Sequence, residues 1–483
     1  MTRTSTLPRP LKPEGTAIDV NDLVAKRYGT YEMAHVWGAE QTFKTSLYVQ
    51  GRAAVVLNNL HPDLVPLEHA LEISSKASLE YISPQRIREL EEEKGHDVIA
   101  INTALEEKVS RGAASHINKL KTSADTTQPA RALQQKEALV IIANSIENLR
   151  DIVLEKAVAW REIPHMDCTH LYDALPTVAG RPFVHYVEML HSDLEVLRFF
   201  YEYSTRGKWA DATGNHHSAH AAGVDGIALQ DSYCYDLGIR STLASAQIPG
   251  LEFEADIFYV LARTAATLDN LARYIAWGRS DDVNIFVNES PQRKKGSSAM
   301  PHKDIKNGNP TTEEQTVSIE NYAQGLMMTA LANCEMPYAR SLYASANSRI
   351  NLENGFKFID HGVRNLASTV YWLGLREDRS KERVLRSYGV VTAQQVMTYL
   401  TDSRQTKNPL PRSEAHDLTA RLAEEAFTAK VQFSEVLLRT PEITSRFDET
   451  TIRKMSNPLE YIGESKRIID RAFDQFYQKK TLS

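Results

Sequence analysis

Ser297, Ser298, Lys303, Asn309 and Glu314 fall within residues 296–315, GSSAMPHKDIKNGNPTTEEQ. Desolvated and held beside a cation, the hydroxyl of Ser297 or Ser298 can act as a base toward an acidified C–H. Lys303 can supply that cation or meet a substrate carboxylate, and Asn309 can orient either partner. Gly296 and the two serines give the freedom expected of a loop that closes over a ligand and excludes water. A candidate for a complementary acid is His170, within Cys168-Thr169-His170, although a lone loop histidine is more often a plain surface residue. An imidazole titrating near pH ~6.5 donates a proton to a departing amine more readily than serine or lysine does.

Other residues suit anions. Thr122 and Ser123 offer hydroxyls and adjacent amides to a carboxylate, and His96-Asp97 can lie beside a carboxylate or phosphate. Arg27-Tyr28, Arg340, Ser345 and Arg349 suit a phosphate, because a guanidinium donates two parallel bonds. Each has a plainer reading alone: a helix N-cap for Thr122-Ser123, a solvated charge for each arginine. His216-His217 lacks partnered ligand spacing and reads as structural.

Taken in chain order these segments resemble the fumarase/aspartase superfamily, and within it the adenylosuccinate lyase branch. Residues 296–303 match the signature GSSxMPxKxNP without a gap; Asn309, Pro310 and Glu314 match after four extra residues. Thr169, His170, Ala174, Pro176, Thr177 and Gly180 fit R-T-H-x-Q-x-A-x-P-T-x-x-G, with Cys168 in place of arginine and Tyr172 in place of glutamine. His96-Asp97-Val98, Thr122-Ser123-Ala124-Asp125 and Arg27-Tyr28 resemble that branch's H-D-V, T-S-x-D and R-Y segments. Gly214-Asn215 with Ala219-His220, then Gln247, follow its pattern, as do Arg340, Ser345 and Arg349, with Ser341 replacing an aspartate.

The resemblance implies an all-α, three-domain fold with a long central helical bundle, and a homotetramer whose sites draw on three subunits. It implies a C–N lyase of purine biosynthesis that releases fumarate from adenylosuccinate, giving AMP, and from SAICAR, giving AICAR. Ser297 would be the base and His170 the acid, oriented by Glu314, with Glu313 the fallback if the extra residues shift the register; Lys303 completes the catalytic set. Thr169, Ser298, Met300, Asn309, Asn215 and Gln247 would join the anion-binding residues as substrate contacts. No metal or cofactor is implied, since proton transfer and electrostatics suffice. The rivals are a lyase releasing fumarate from a different amino-succinate, a muconate cycloisomerase-type relative, and a homologue retired to a structural role.

The elements that must hold these groups read as long helices. Leu139, Ile142, Ile146, Leu149 and Val153 recur at spacings of three and four, as do Phe183, Val187, Leu190, Leu194 and Leu197, and Leu261, Ala265, Leu268, Ala272 and Ile275. Strand-like alternation is almost absent. Residues 121–129, 160–182 and 374–380 read as connectors, placing domains at 1–120, 121–375 and 376–483. A net charge of −6, from 56 basic and 62 acidic residues, gives no global attraction to nucleic acid or an anionic membrane. Three scattered cysteines fit a reducing compartment. With no apolar leader and no run of about 18 apolar residues, the expectation is a cytoplasmic protein whose first fifteen residues form a loosely held arm.

Overall fold

The computed structural model describes residues 27–291, 297–305, 308–335 and 341–477. The expected N-terminal arm, Gly296 and Arg340 lie outside the described residues. After a short helix at Tyr31–Val36, the long helix α1 (Ala39–Leu60) dominates the N-terminal part. The centre holds α2 (Ala124–Ala159), the hairpin β1 (Pro164–Thr169) and β2 (Tyr172–Val178), α3 (Arg181–Tyr203), α4 (Glu252–Arg279), β3 (Phe286–Asn288), α5 (Thr311–Asn333) and α6 (Ser345–Tyr371). Strand β4 (Leu373–Leu375) pairs with β3, and α7 (Glu377–Leu385) and α8 (Ser465–Phe476) follow among the C-terminal helices.

The three apolar stripes form the seams of this bundle. Leu139, Ile142, Ile146 and Val153 of α2 are fully buried, as are Val187, Leu190 and Leu194 of α3, and they share one core with α4, α5 and α6. Cross-helix contacts fix the directions. Lys136 Nζ lies 4.1 Å from the Tyr201 ring centre and Trp160 meets Phe183 edge-on, so α3 runs back along α2. Ser204 donates to Asp256 at 2.7 Å and Arg263 to Ser192 at 2.7 Å, so α4 reverses again. Arg131 reaches Ser348 at 3.0 Å, Ser145 reaches Asp360 at 2.6 Å, and Lys156 reaches the Leu373 carbonyl at 2.6 Å, so α6 runs parallel to α2. At about 1.5 Å per residue, the 36 residues of α2 set the two ends of the bundle ~54 Å apart.

Two further cores flank this one. One joins α1 and residues 65–133 to residues 209–239, and another lies within residues 396–455. Helix α8 leaves the C-terminal core and returns Ile469, Ala472 and Phe476 to the central one.

All three expected connectors contain regular structure; residues 374–380 hold the end of β4 and the start of α7, joined by Arg376 alone. The segment 121–129 is already helical from Ala124, and Pro129 sits inside α2. An interior proline costs a helical hydrogen bond, but the first turn is pinned by Asp125, whose carboxylate accepts from Thr122 N and Oγ1 and from Ala210 N. The segment 160–182 contains the β1–β2 hairpin, paired from Pro164 opposite Val178 to Thr169 opposite Tyr172 with a register shift between Asp167 and Cys168. It closes through His170 and Leu171, both at positive φ (53° and 67°), a mirror-image turn that usually announces itself with Asn or Gly. Gly180 follows where a Cβ would sit 1.9 Å from the Ala157 carbonyl oxygen, which forces glycine between α2 and α3.

Candidate functional site

The sequence-derived residues gather at the two ends of the bundle. The first end comprises the starts of α2, α4 and α6; the second comprises their C-termini with the starts of α3 and α5.

At the first end, Ser123 Oγ lies 3.3 Å from His96 Nε2, and His96 Nδ1 lies 3.1 Å from an Asp97 oxygen. Thr122 is held by its two bonds to Asp125, itself fully buried against Lys208 (Nζ–Oδ1 2.5 Å). Lys208 also donates to the Asp211 carbonyl, which draws the 208–218 loop over the hydroxyl pair. Gly214 has φ +79° and leaves no room for a Cβ beside the Ser245 carbonyl, so the Asn215 loop lies against the segment leading to Gln247. Asn215 is exposed and donates to Thr213. Ser345 and Arg349 open α6 at this end, and Ser348 between them bonds Arg131 and Glu254. Arg27 and Tyr28 stand apart: Tyr28 packs edge-on against His361, 5.8 Å between ring centres. That is 12 residues, or about 18 Å, along α6 from Arg349.

Sequence reasoning left Lys121 unassigned, although it adjoins Thr122. Its ammonium donates to Gln50 Oε1 at 3.2 Å and lies 5.3 Å from the ring centres of Trp209 and Tyr233. Burial, reinforced by Lys208 and opposed by Asp125, pushes its pKa down to about 7.

At the second end, Ser297 Oγ accepts from the backbone N–H of Met300 at 3.0 Å and of Ala299 at 3.3 Å. Two donors aimed at one hydroxyl oxygen stabilise negative charge there. Ser298 and Met300 are exposed beside it. Lys303 Nζ donates to Asn309 Oδ1 at 3.1 Å, so the extra residues do not separate the pair; Gly308, at φ +69°, donates to the Lys303 carbonyl and turns the chain back. Glu314 is exposed in the first turn of α5, whereas Glu313, the fallback, is buried and paired with Arg279 at 2.5 Å. Glu313 is therefore committed to fastening α5 to α4.

Thr169 and His170 are exposed at the tip of the β1–β2 hairpin, also at this end. Histidine tolerates positive φ better than most residues, but leucine does not, so Leu171 stores on the order of 1–3 kcal/mol of backbone strain beside the imidazole. Tyr172 and Leu171 project into solvent, 79% and 81% exposed. The chain thus brings His96, Asp97, Thr122 and Ser123 together, and separately Ser297, Lys303 and Asn309. It does not join the two groups within one copy.

Among the described residues no cluster of three His, Cys, Asp or Glu side chains could hold a metal, and no helix is long and apolar enough to cross a membrane. The cysteines are free.

Residues 31–325 match the sequence profile of a family described as Lyase, and residues 389–472 match one described as Adenylosuccinate lyase C-terminus. An adenylosuccinate lyase of Methanocaldococcus jannaschii is 28% identical over 455 residues, 94% of this chain and 96% of that protein. One of Bacillus subtilis is 27% identical over 427 residues, 88% and 94% of the two chains. Among solved structures, a fumarate lyase from Mesorhizobium sp. BNC1 superposes with a TM-score of 0.77 at 19% identity, covering 92% of this chain and 98% of that one. A 3-carboxy-cis,cis-muconate lactonizing enzyme from Pseudomonas putida gives 0.78 at 18% identity, covering 94% and 98%. At such identities the structures speak to the fold alone, which is the all-α architecture expected from the stripes.

Proposed function

Because the chain belongs to the lyase family of the fumarase/aspartase superfamily and is a C–N lyase, we propose that it eliminates fumarate from adenylosuccinate to give AMP, and from SAICAR to give AICAR. In this reading Ser297 removes a proton from the carbon beside a substrate carboxylate. The resulting aci-carboxylate dianion is stabilised by Lys303 and Asn309, with Thr122 and Ser123 on the same carboxylate. His170, oriented by Glu314, protonates the departing nitrogen. Arg340, Ser345 and Arg349 receive the nucleotide phosphate, Arg27 and Tyr28, about 18 Å from Arg349 within one copy, contact the nucleotide from another copy, and the remaining contacts come from His96, Asp97, Thr169, Asn215, Gln247, Ser298 and Met300. Every step is a proton transfer or a charge contact made by the chain's own side chains.

One observation carries this reading: the Ser297 oxygen already accepts two backbone N–H groups, with the Lys303–Asn309 pair six residues on. Near-full-length similarity to adenylosuccinate lyases of archaea and bacteria supports the choice of substrate.

The ~54 Å between the bundle ends supports a homotetramer in which each site joins the first end of one subunit to the second ends of two others, one supplying Ser297 and the other His170. Phe199, Tyr259, Met328, Leu331 and Ile350 are exposed on four central helices, apolar surface suited to a neighbouring copy. We read the chain as cytoplasmic, on its free cysteines, and as divided at 1–120, 121–375 and 376–483; the three cores follow this division except that α8, Met33 and Val36 join the central core and residues 130–132 and 209–239 join the N-terminal one.

Purified protein given adenylosuccinate is expected to produce equimolar fumarate and AMP. No turnover, while another amino-succinate is consumed, would move the assignment to the rival substrate. Mixing inactive Ser297→Ala and His170→Ala subunits is expected to restore part of the activity. No recovery after confirmed subunit exchange would mean that one copy supplies both Ser297 and His170 to a site.

A further inference from the structure

We propose that Asp173, Arg383 and Arg386 form a positioning clamp, through which the C-terminal helix α7 sets the orientation of the hairpin tip that carries His170. The proposal rests on the reading of His170 as the proton donor.

Asp173 stands on β2 opposite Cys168, one residue pair below the His170–Leu171 turn. Both of its carboxylate oxygens are occupied from α7 and the residue just beyond it. Arg383 Nε and Nη2 donate to Oδ1 at 2.9 and 2.6 Å, and Arg386 Nε and Nη2 donate to Oδ2 at 3.2 and 2.6 Å. Burial raises the Asp173 pKa, but the bonds from the two guanidinium groups outweigh it and hold the carboxyl below its usual range, so the clamp is ionic at neutral pH.

Arg383 is 8% exposed and also binds the other strand, with Nη2 donating to Cys168 Sγ at 3.2 Å. Its guanidinium lies 4.9 Å from the Trp277 ring centre on α4, which ties the clamp to the bundle. Lower on the hairpin, Ser380 donates to the Pro164 carbonyl at 2.8 Å and lies 3.0 Å from His165 Nδ1, while Thr177 meets Ser465 at 2.9 Å. The base of the hairpin is therefore fastened without Asp173. What Asp173 adds is a fixed point immediately behind a strained turn whose two central residues are exposed. A proton donor must meet its target within a few tenths of an ångström, and a displacement of about 1 Å costs on the order of 10²-fold.

The test uses the full-length enzyme with adenylosuccinate, with His170→Ala as reference. Asp173→Asn is expected to lower kcat about 10- to 100-fold with KM within about 3-fold of wild type. Arg383→Met is expected to do the same, and Arg383→Lys, which keeps the charge and one bond, to recover part of the loss; a packing defect would not follow that order. If Asp173→Asn does not fold, Arg386→Gln, which removes only the exposed arm, carries the test with an expected kcat loss of about 3-fold. Wild-type kcat in Asp173→Asn, or in Arg386→Gln if the former is unfolded, while His170→Ala is inactive overturns the clamp and leaves the acid assignment standing. Full activity in His170→Ala overturns that assignment and the clamp with it.

Discussion

Ser297→Ala is expected to lower kcat by at least about 10²-fold while leaving the melting temperature and assembly unchanged. The hydroxyl sits in a short loop and accepts from two amides, Ala299 N and Met300 N. Removing it leaves those amides near solvent, where water satisfies them, so the fold loses little. In the proposed mechanism the reaction loses its base. The same amides explain how a serine can take that role: as the proton arrives from carbon, the oxygen passes through a state with partial negative charge, and fixed donors at 3.0 and 3.3 Å stabilise it without reorganising. Lys303, held by Asn309, adds a positive charge to the same loop. Steady-state fumarate release measures the effect. A rate within a few-fold of wild type would remove Ser297 from the role and turn attention to the exposed hydroxyl of Ser298.

Asp125→Ala is expected to be the most damaging single change to stability, about 3–5 kcal/mol, the range for breaking one side of a buried ion pair. Both members of the Asp125–Lys208 pair are fully inaccessible to solvent. The carboxylate also gathers the Ala210 amide and both donors of Thr122. Truncation therefore leaves the Lys208 ammonium buried with the Asp211 carbonyl as its remaining partner and frees the first turn of α2. Chemical denaturation measures the loss as a lower midpoint. A second readout separates this from a simple core defect: because Thr122 loses its anchor, KM is expected to rise in the surviving folded fraction. A denaturation midpoint equal to wild type would show that the pair contributes nothing to stability.

The legible parts of this molecule were those encoded locally. Leu139 to Val153, Phe183 to Leu197 and Leu261 to Ile275 are spaced at the helical period, and all three stripes lie inside the long central helices. What was not legible depended on contacts distant in sequence or on backbone choices that residue type does not announce. The hairpin after α2 was missed because its turn uses His170 and Leu171, where local chemistry favours Asn-Gly. Pro129 suggested a connector, but Asp125 draws in Lys208 from 83 residues away and holds the helix start. The choice between Glu313 and Glu314 turned on which carboxylate faced Arg279, a residue 34 positions earlier. Asp173 and Arg383 are 210 positions apart, and no spacing rule connects them.

The length of α2 carries one more consequence. If half of the chemistry resides at each end of a 36-residue rod, an isolated copy contains every functional group and no working centre. Dilution then becomes an off switch: specific activity falls as subunits part, and a newly synthesised copy stays inert until it meets others of its kind.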